Sequence, residues 1–159
     1  MSQFIVGIDP GICGAIALYD GDELLVFDMP VHHLKVNNKN KRRIDVYELA
    51  RIVDEKSTLI KKAFIESPSA SPGMGVVSSF QFGFSCGVVQ TIIAAHFISA
   101  KLLHPAKWKK IMELPASKDA CRKRASELMP KHCDKWSRVM DDGRAEAALM
   151  AYGGFHNLL

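Results

Sequence analysis

Hydrophobic positions along the chain fall into short continuous runs and longer stretches with a helical period. Phe4, Ile5, Val6 and Ile8 predict a strand buried on both faces, which Asp9 ends just before Pro10 and Gly11. Ala15–Tyr19 and Leu24–Asp28 predict two more strands, joined by the hairpin signal Asp20-Gly21-Asp22. Residues 31–43, VHHLKVNNKNKRR, are basic and have no apolar period, so a mobile loop is expected there. A helix follows over 45–62, capped by Asp45 with Glu48 three residues on, and striped by Val46, Leu49, Ala50 and Val53. Ala63–Glu66 reads as a fourth strand, stopped by the prolines and glycines of SPSASPGMG.

The longest apolar helix is predicted over 76–97, with Phe80, Phe84, Val88, Ile92 and Ala95 roughly on one side. Ile98–His104 predicts a fifth strand, and Pro105 suits the first turn of a short helix after it. Ser117 should cap a helix running to Pro130, and a last helix should fill Gly143 to about His156. The order βββ-α-β-α-β-α-α-α predicts an α/β fold: a mixed five-stranded sheet flanked by helices. The helix over 45–62 is then a right-handed crossover, which returns the fourth strand parallel to the first and beside it.

Composition narrows this little. The 159 residues are 48% hydrophobic and 24% charged, the balance of one ordinary globular domain over 1–159. A net charge of +4 permits a nucleic-acid partner without requiring one. Cys13, Cys86, Cys121 and Cys133 form no CxxC pair, so reduced thiols are expected and neither a disulfide scaffold nor a zinc site is. With no secretion signal and no apolar run of spanning length read, the expectation is a soluble cytoplasmic protein.

The carboxylates change the picture. Asp9 and Glu66 end two strands expected to be parallel neighbours, so both leave the sheet at its carboxyl edge. Asp142 and Glu146 lie four apart and share one side of the last helix, whose other residues are small or apolar; Asp141 points elsewhere. Read singly, each has an ordinary alternative: turn residue, loop residue, helix cap or surface ion pair. Together and bare they would repel strongly. Two Mg²⁺ ions would relieve that, and two such ions about 3.5–4 Å apart can activate water against a phosphodiester.

At these residues the chain resembles the RuvC-type Holliday-junction resolvases, which have the RNase H-like fold. GIDPGICGAIAL is similar to the family's first-strand motif, FIESPSASPGMG to its strand-four glutamate and loop, and FQFGFSCGVVQTIIAA to its long helix. LLHPAKWKKIM resembles its strand-to-basic-helix segment, and DDGRAEAALMAYGG its acidic last helix in the phage and organellar form. The resemblance spans nearly the whole chain. It implies catalytic and metal-ligating roles for Asp9, Glu66, Asp142 and Glu146, Mg²⁺ (or Mn²⁺) as cofactor, and a homodimer nicking opposing strands of a four-way junction. The last acid departs from the bacterial form, which has aspartates three apart; here Glu146 follows Asp142 by four, and Asp141 next door is the competing ligand.

Basic clusters suit phosphate contacts. Lys39, Lys41, Arg42 and Arg43 sit in the early segment, Lys107, Lys109 and Lys110 surround Trp108, and Lys118, Arg122, Lys123 and Arg124 sit near the start of the next helix. Met74, between two glycines, could wedge into unstacked bases. The helix over 76–97 is apolar on several sides, so a partner subunit is expected to cover what the sheet cannot. The alternatives are another RNase H-like nuclease, acting on structured RNA or branched repair intermediates, and a catalytically silent junction-binding module.

Overall fold

The computed structural model describes residues 3–67, 73–115, 117 and 119–159. The main sheet has strands β1 (Phe4–Asp9), β2 (Ala15–Tyr19) and β3 (Leu24–Asp28), then β6 (Ile60–Glu66) and β7 (Ala100–Leu103). Its order is β3-β2-β1-β6-β7, with β1–β2 and β2–β3 antiparallel and β1–β6 and β6–β7 parallel. The helices are α1 (Val46–Lys56), α2 (Val76–Ala95), α3 (Pro105–Ile111), α4 (Ala120–Leu128) and α5 (Asp142–Phe155).

Strand alternation sorts the core into two layers. Phe4, Val6 and Ile8 of β1 join Ala63 and Ile65 of β6 under α1 and α2, against Leu49, Val53, Val89 and Ile93. Ile5 and Phe64 face the other way, into a layer with Trp108, Cys121, Ala125 and the small residues of α5. The same parity puts Asp9 and Glu66 on the α5 side. Gly7 lets α5 come this close: a Cβ there would lie 2.0 Å from the Ala147 carbonyl oxygen and 2.6 Å from the Ala151 nitrogen.

Residues 31–43 are not a loop. Val31–Val36 (β4) and Lys39–Ile44 (β5) pair antiparallel in a two-stranded sheet of their own, turned by Asn37 and Asn38 at φ 50° and 58°. Asparagine tolerates this left-handed backbone, and two such residues make the tight turn that strand twist favours. The strands escape a hydrophobicity reading because β5 is exposed except for Ile44.

Several boundaries differ from expectation. The first helix ends at Lys56, followed by a 3₁₀ turn, and β6 starts at Ile60. Asp45 does cap α1, its Oδ1 accepting from the Glu48 N–H at 3.0 Å, but the Glu48 side chain turns to Arg51 instead of back to the cap. Ser117 is not the cap of α4, which begins at Ala120. The fifth strand is Ala100–Leu103, shorter than 98–104, because α2 ends in a turn with Phe97 at φ 56°.

Helix α2 is apolar overall without a continuous apolar run. Val76–Ala95 holds no charged residue, and by length and mean hydropathy, 1.4 over its best window, it is apolar enough to cross a membrane. Its scattered Ser, Gln, Gly and Thr break any continuous apolar run without making the helix polar. Along it Ser85, Val89, Ile92 and Ile93 are buried, while Val76, Val77 and Phe80 are exposed.

Candidate active site

Asp9 is the last residue of β1, paired with Ala15 across the sheet. Its Oδ1 accepts a hydrogen bond from the Gly11 N–H at 3.0 Å, which fixes the carboxylate against its own turn. Gly143 lets α5 close over it: a Cβ there would fall 2.5 Å from the Cys13 carbonyl oxygen and 3.2 Å from Asp9 Oδ2. Glu66 ends β6, one register step beyond the Ile8–Ile65 pair. It is buried, and its Oε2 accepts from the Trp108 indole N–H at 2.7 Å. Trp108 is thus a core residue with a partner for its one donor, as a buried indole requires.

Glu146 reaches in from α5. Its Oε1 receives the Lys109 ammonium at 2.6 Å, with the Cys121 thiol at 3.5 Å. Asp142, one turn earlier, is held by Arg122 Nε at 2.7 Å. Both acids line a pocket of about 440 Å³ with Lys109, Leu114, Pro115, Ser117 and Cys121. Asp141 belongs to a different structure: it is buried, paired with Arg138 at 2.7 Å, and held below the usual carboxylate range by that guanidinium.

Electrostatics tie three of the acids together. Burial, opposed by the Gly11 hydrogen bond, lifts Asp9 to about 6, with a further push from Glu146. Glu66 rises to about 7 through burial first, then repulsion from Glu146 and from Asp9. Lys109 works against both shifts. Its own affinity for the proton is raised by Glu146 despite partial burial. Asp142 is engaged instead with Arg122, which also pairs with Asp119.

Of the four expected ligands, then, Asp9, Glu66 and Glu146 form one interacting group and Asp142 stands beside it. As arranged, no three carboxyl, imidazole or thiol groups among the described residues are close enough to hold one ion. Carboxylate oxygens are the donor type a hard divalent cation takes; in this arrangement the Lys109 ammonium supplies the positive charge among them. Lys109, expected to contact DNA, faces inward here. Its bond to Glu146 and the Trp108 bond to Glu66 are two features that sequence reasoning misses. The signal for the second is the requirement that a buried indole find an acceptor.

Among the other expected contact residues, Lys107 and Lys110 are exposed on α3. Arg122 is held by acids, and Arg124 pairs with Glu113 at 3.1 Å and Glu127 at 3.3 Å. Met74 is exposed just ahead of α2, next to Gly73 at φ 93°. Lys118 lies outside the described residues.

The mixed sheet with these flanking helices is the RuvC/RNase H-like fold. Two solved structures share it over nearly the whole chain. A Thermus thermophilus RuvC in complex with a Holliday junction substrate aligns with TM-score 0.58 and 13% identity, covering 98% of this chain and 97% of that one. A second T. thermophilus RuvC structure aligns with TM-score 0.57 and 15% identity, covering 98% of each. No protein-family profile matches the sequence, and no curated protein matches it.

Proposed function

We propose that this protein is a divalent-metal-dependent endonuclease of branched DNA, a Holliday-junction resolvase acting as a homodimer. The observation that carries this reading is the placement of Asp9 and Glu66 at adjacent tips of parallel strands, with Glu146 brought over them by α5. A structural neighbour's complex with a Holliday junction substrate supports the choice of DNA.

Asp9, Glu66, Asp142 and Glu146 would hold the ions, two Mg²⁺ or Mn²⁺ per site. When bound, such ions supply an activated water and positive charge for an in-line displacement at phosphorus. The chain's own residues prepare the site. The Gly11 N–H holds Oδ1 of Asp9 in place. The Trp108 N–H holds Oε2 of Glu66 in place. Lys109 and Arg122 keep Glu146 and Asp142 oriented. Exposed Lys107 and Lys110 meet the phosphate backbone, and Met74 meets the open bases at the branch.

The dimer reading rests on α2. Val76, Val77, Phe80 and Phe84 are exposed along it, and Gly83 and Gly87 have nothing near where a Cβ would stand, so a second helix can approach closely.

The test is a cleavage assay on a labelled synthetic four-way junction with Mg²⁺, Mn²⁺ or EDTA, with linear duplex and an RNA hairpin as controls. Paired metal-dependent nicks on the junction alone are the expected result. Cutting of the RNA in preference would reassign the substrate. Tight junction binding without cutting in either metal would make the chain a silent binding module.

A further inference from the structure

The β4–β5 hairpin has no part in the carboxylate site, yet it concentrates charge. Five of its residues 31–44 are Lys or Arg, and no acid lies between Asp28 and Asp45. An isolated two-stranded ribbon has little core of its own and is marginal in water, so its base is tied down. Ile44 is buried, the Asp45 N–H donates to the Pro30 carbonyl at 2.9 Å, and Gln81 of α2 donates to the Arg42 carbonyl at 2.6 Å.

Register then sorts the cations. Arg42 pairs with His33 and reaches to the loop between β1 and β2, donating to the exposed Cys13 Sγ at 3.2 Å. Lys39, Lys41 and Arg43 lie on the opposite face of β5, beside Val36, Leu34 and His32. Among the described residues these three make no ion pair, whereas Lys109, Arg122 and Arg124 are all matched to acids. A row of three free cations about 13 Å long fits an extended polyanion.

Position gives that polyanion its path. β3 lies at one margin of the sheet and β7 at the other, with β1 and β6 between them. β3 runs parallel to β1, so the hairpin that follows it rises from the same carboxyl edge as Asp9. Helix α3 follows β7 and rises from that edge at the far margin. The hairpin and the α3 lysines therefore flank the carboxylates from opposite sides.

We propose that the β4–β5 hairpin is a second DNA-contact element, gripping the sugar-phosphate backbone of a duplex arm other than the one that α3 contacts. This rests on the junction-nuclease reading and adds to it a binding element outside the active site. The contact is sequence-independent and acts through charge.

The experiment compares wild type with the K39Q/K41Q/R43Q variant, measuring junction affinity by fluorescence anisotropy in EDTA from about 50 to 200 mM salt, together with a hydroxyl-radical footprint. The expected result is a salt slope lower by about 2.7, affinity at the middle of that range reduced roughly 10- to 100-fold, and loss of protection on one arm with protection at the branch kept. The charge-preserving K39R/K41R/R43K variant should bind as wild type. Wild-type slope, affinity and footprint in the neutralised variant would overturn the hairpin's role and leave the nuclease reading standing. Failure of wild type itself to bind either junction or duplex would overturn that reading and the hairpin with it. A loss confined to structured RNA would overturn DNA as the partner. If circular dichroism shows the triple variant unfolded, the three single variants decide, each expected to lower the slope by about 0.9.

Discussion

Each catalytic candidate is held by a neighbour whose removal is measurable. Asp9→Asn keeps an oxygen for the Gly11 N–H but removes the charge. Junction cleavage should fall at least about 100-fold with binding kept, as read from single-turnover rates beside anisotropy. The same variant removes a buried repelling charge, so its melting temperature without metal at pH 8 should exceed that of wild type. Trp108→Phe keeps a ring in the core but frees Glu66 from its 2.7 Å bond. If Glu66 holds an ion as proposed, losing such support costs roughly 10- to 100-fold in ion affinity, and Ca²⁺ titration calorimetry would show it.

The pH dependence has a definite sign. Asp9 and Glu66 sit near 6 and 7 when folded, against roughly 4 in an unfolded chain. Between those values the folded state binds more protons, so metal-free stability falls as pH rises from about 4 to 7. Asp28 and Asp141, held low by Arg144 and Arg138, lose their stabilisation only in acid and do not act in this window. The melting temperature without metal should drop by about 5 °C from pH 5 to pH 8, and divalent ions should reverse the drop. A flat or rising profile over that range would remove the electrostatic basis of the site.

At the scale of elements, close approach decides most. Gly7→Ala puts a methyl into the backbone of α5 and has no flexible neighbour to displace. It should cost about 3 kcal/mol, at the upper end of overpacking, as measured by urea unfolding. Phe80→Asp alters an exposed side chain, so the fold should survive while the proposed dimer dissociates, as read by analytical ultracentrifugation.

These elements also show what a sequence discloses. β1 and the Ala63–Ile65 part of β6 are legible because residues buried on both faces form short apolar runs, and Asp9 and Glu66 are legible as the charges that end them. The hairpin is not, since its pairing rests on an Asn-Asn turn and backbone hydrogen bonds, without an apolar face. Nor are Lys109–Glu146 and Trp108–Glu66: they join residues 37 and 42 positions apart, a distance no local period encodes.

At the scale of the molecule, the acids come from three separated stretches, and α5 packs across β1 and β2 to complete the set. One consequence concerns time. Asp9 is made 137 residues before Glu146, and Gly7 and Gly143 allow β1 and α5 to meet only once α5 exists as a helix. A ribosome-bound chain that has emerged as far as α4 carries Asp9 and Glu66 without their partners on α5. The carboxylate set therefore stays in pieces on the ribosome until α5 forms, which on the proposed nuclease reading keeps the chain from cutting nucleic acid while it is being made.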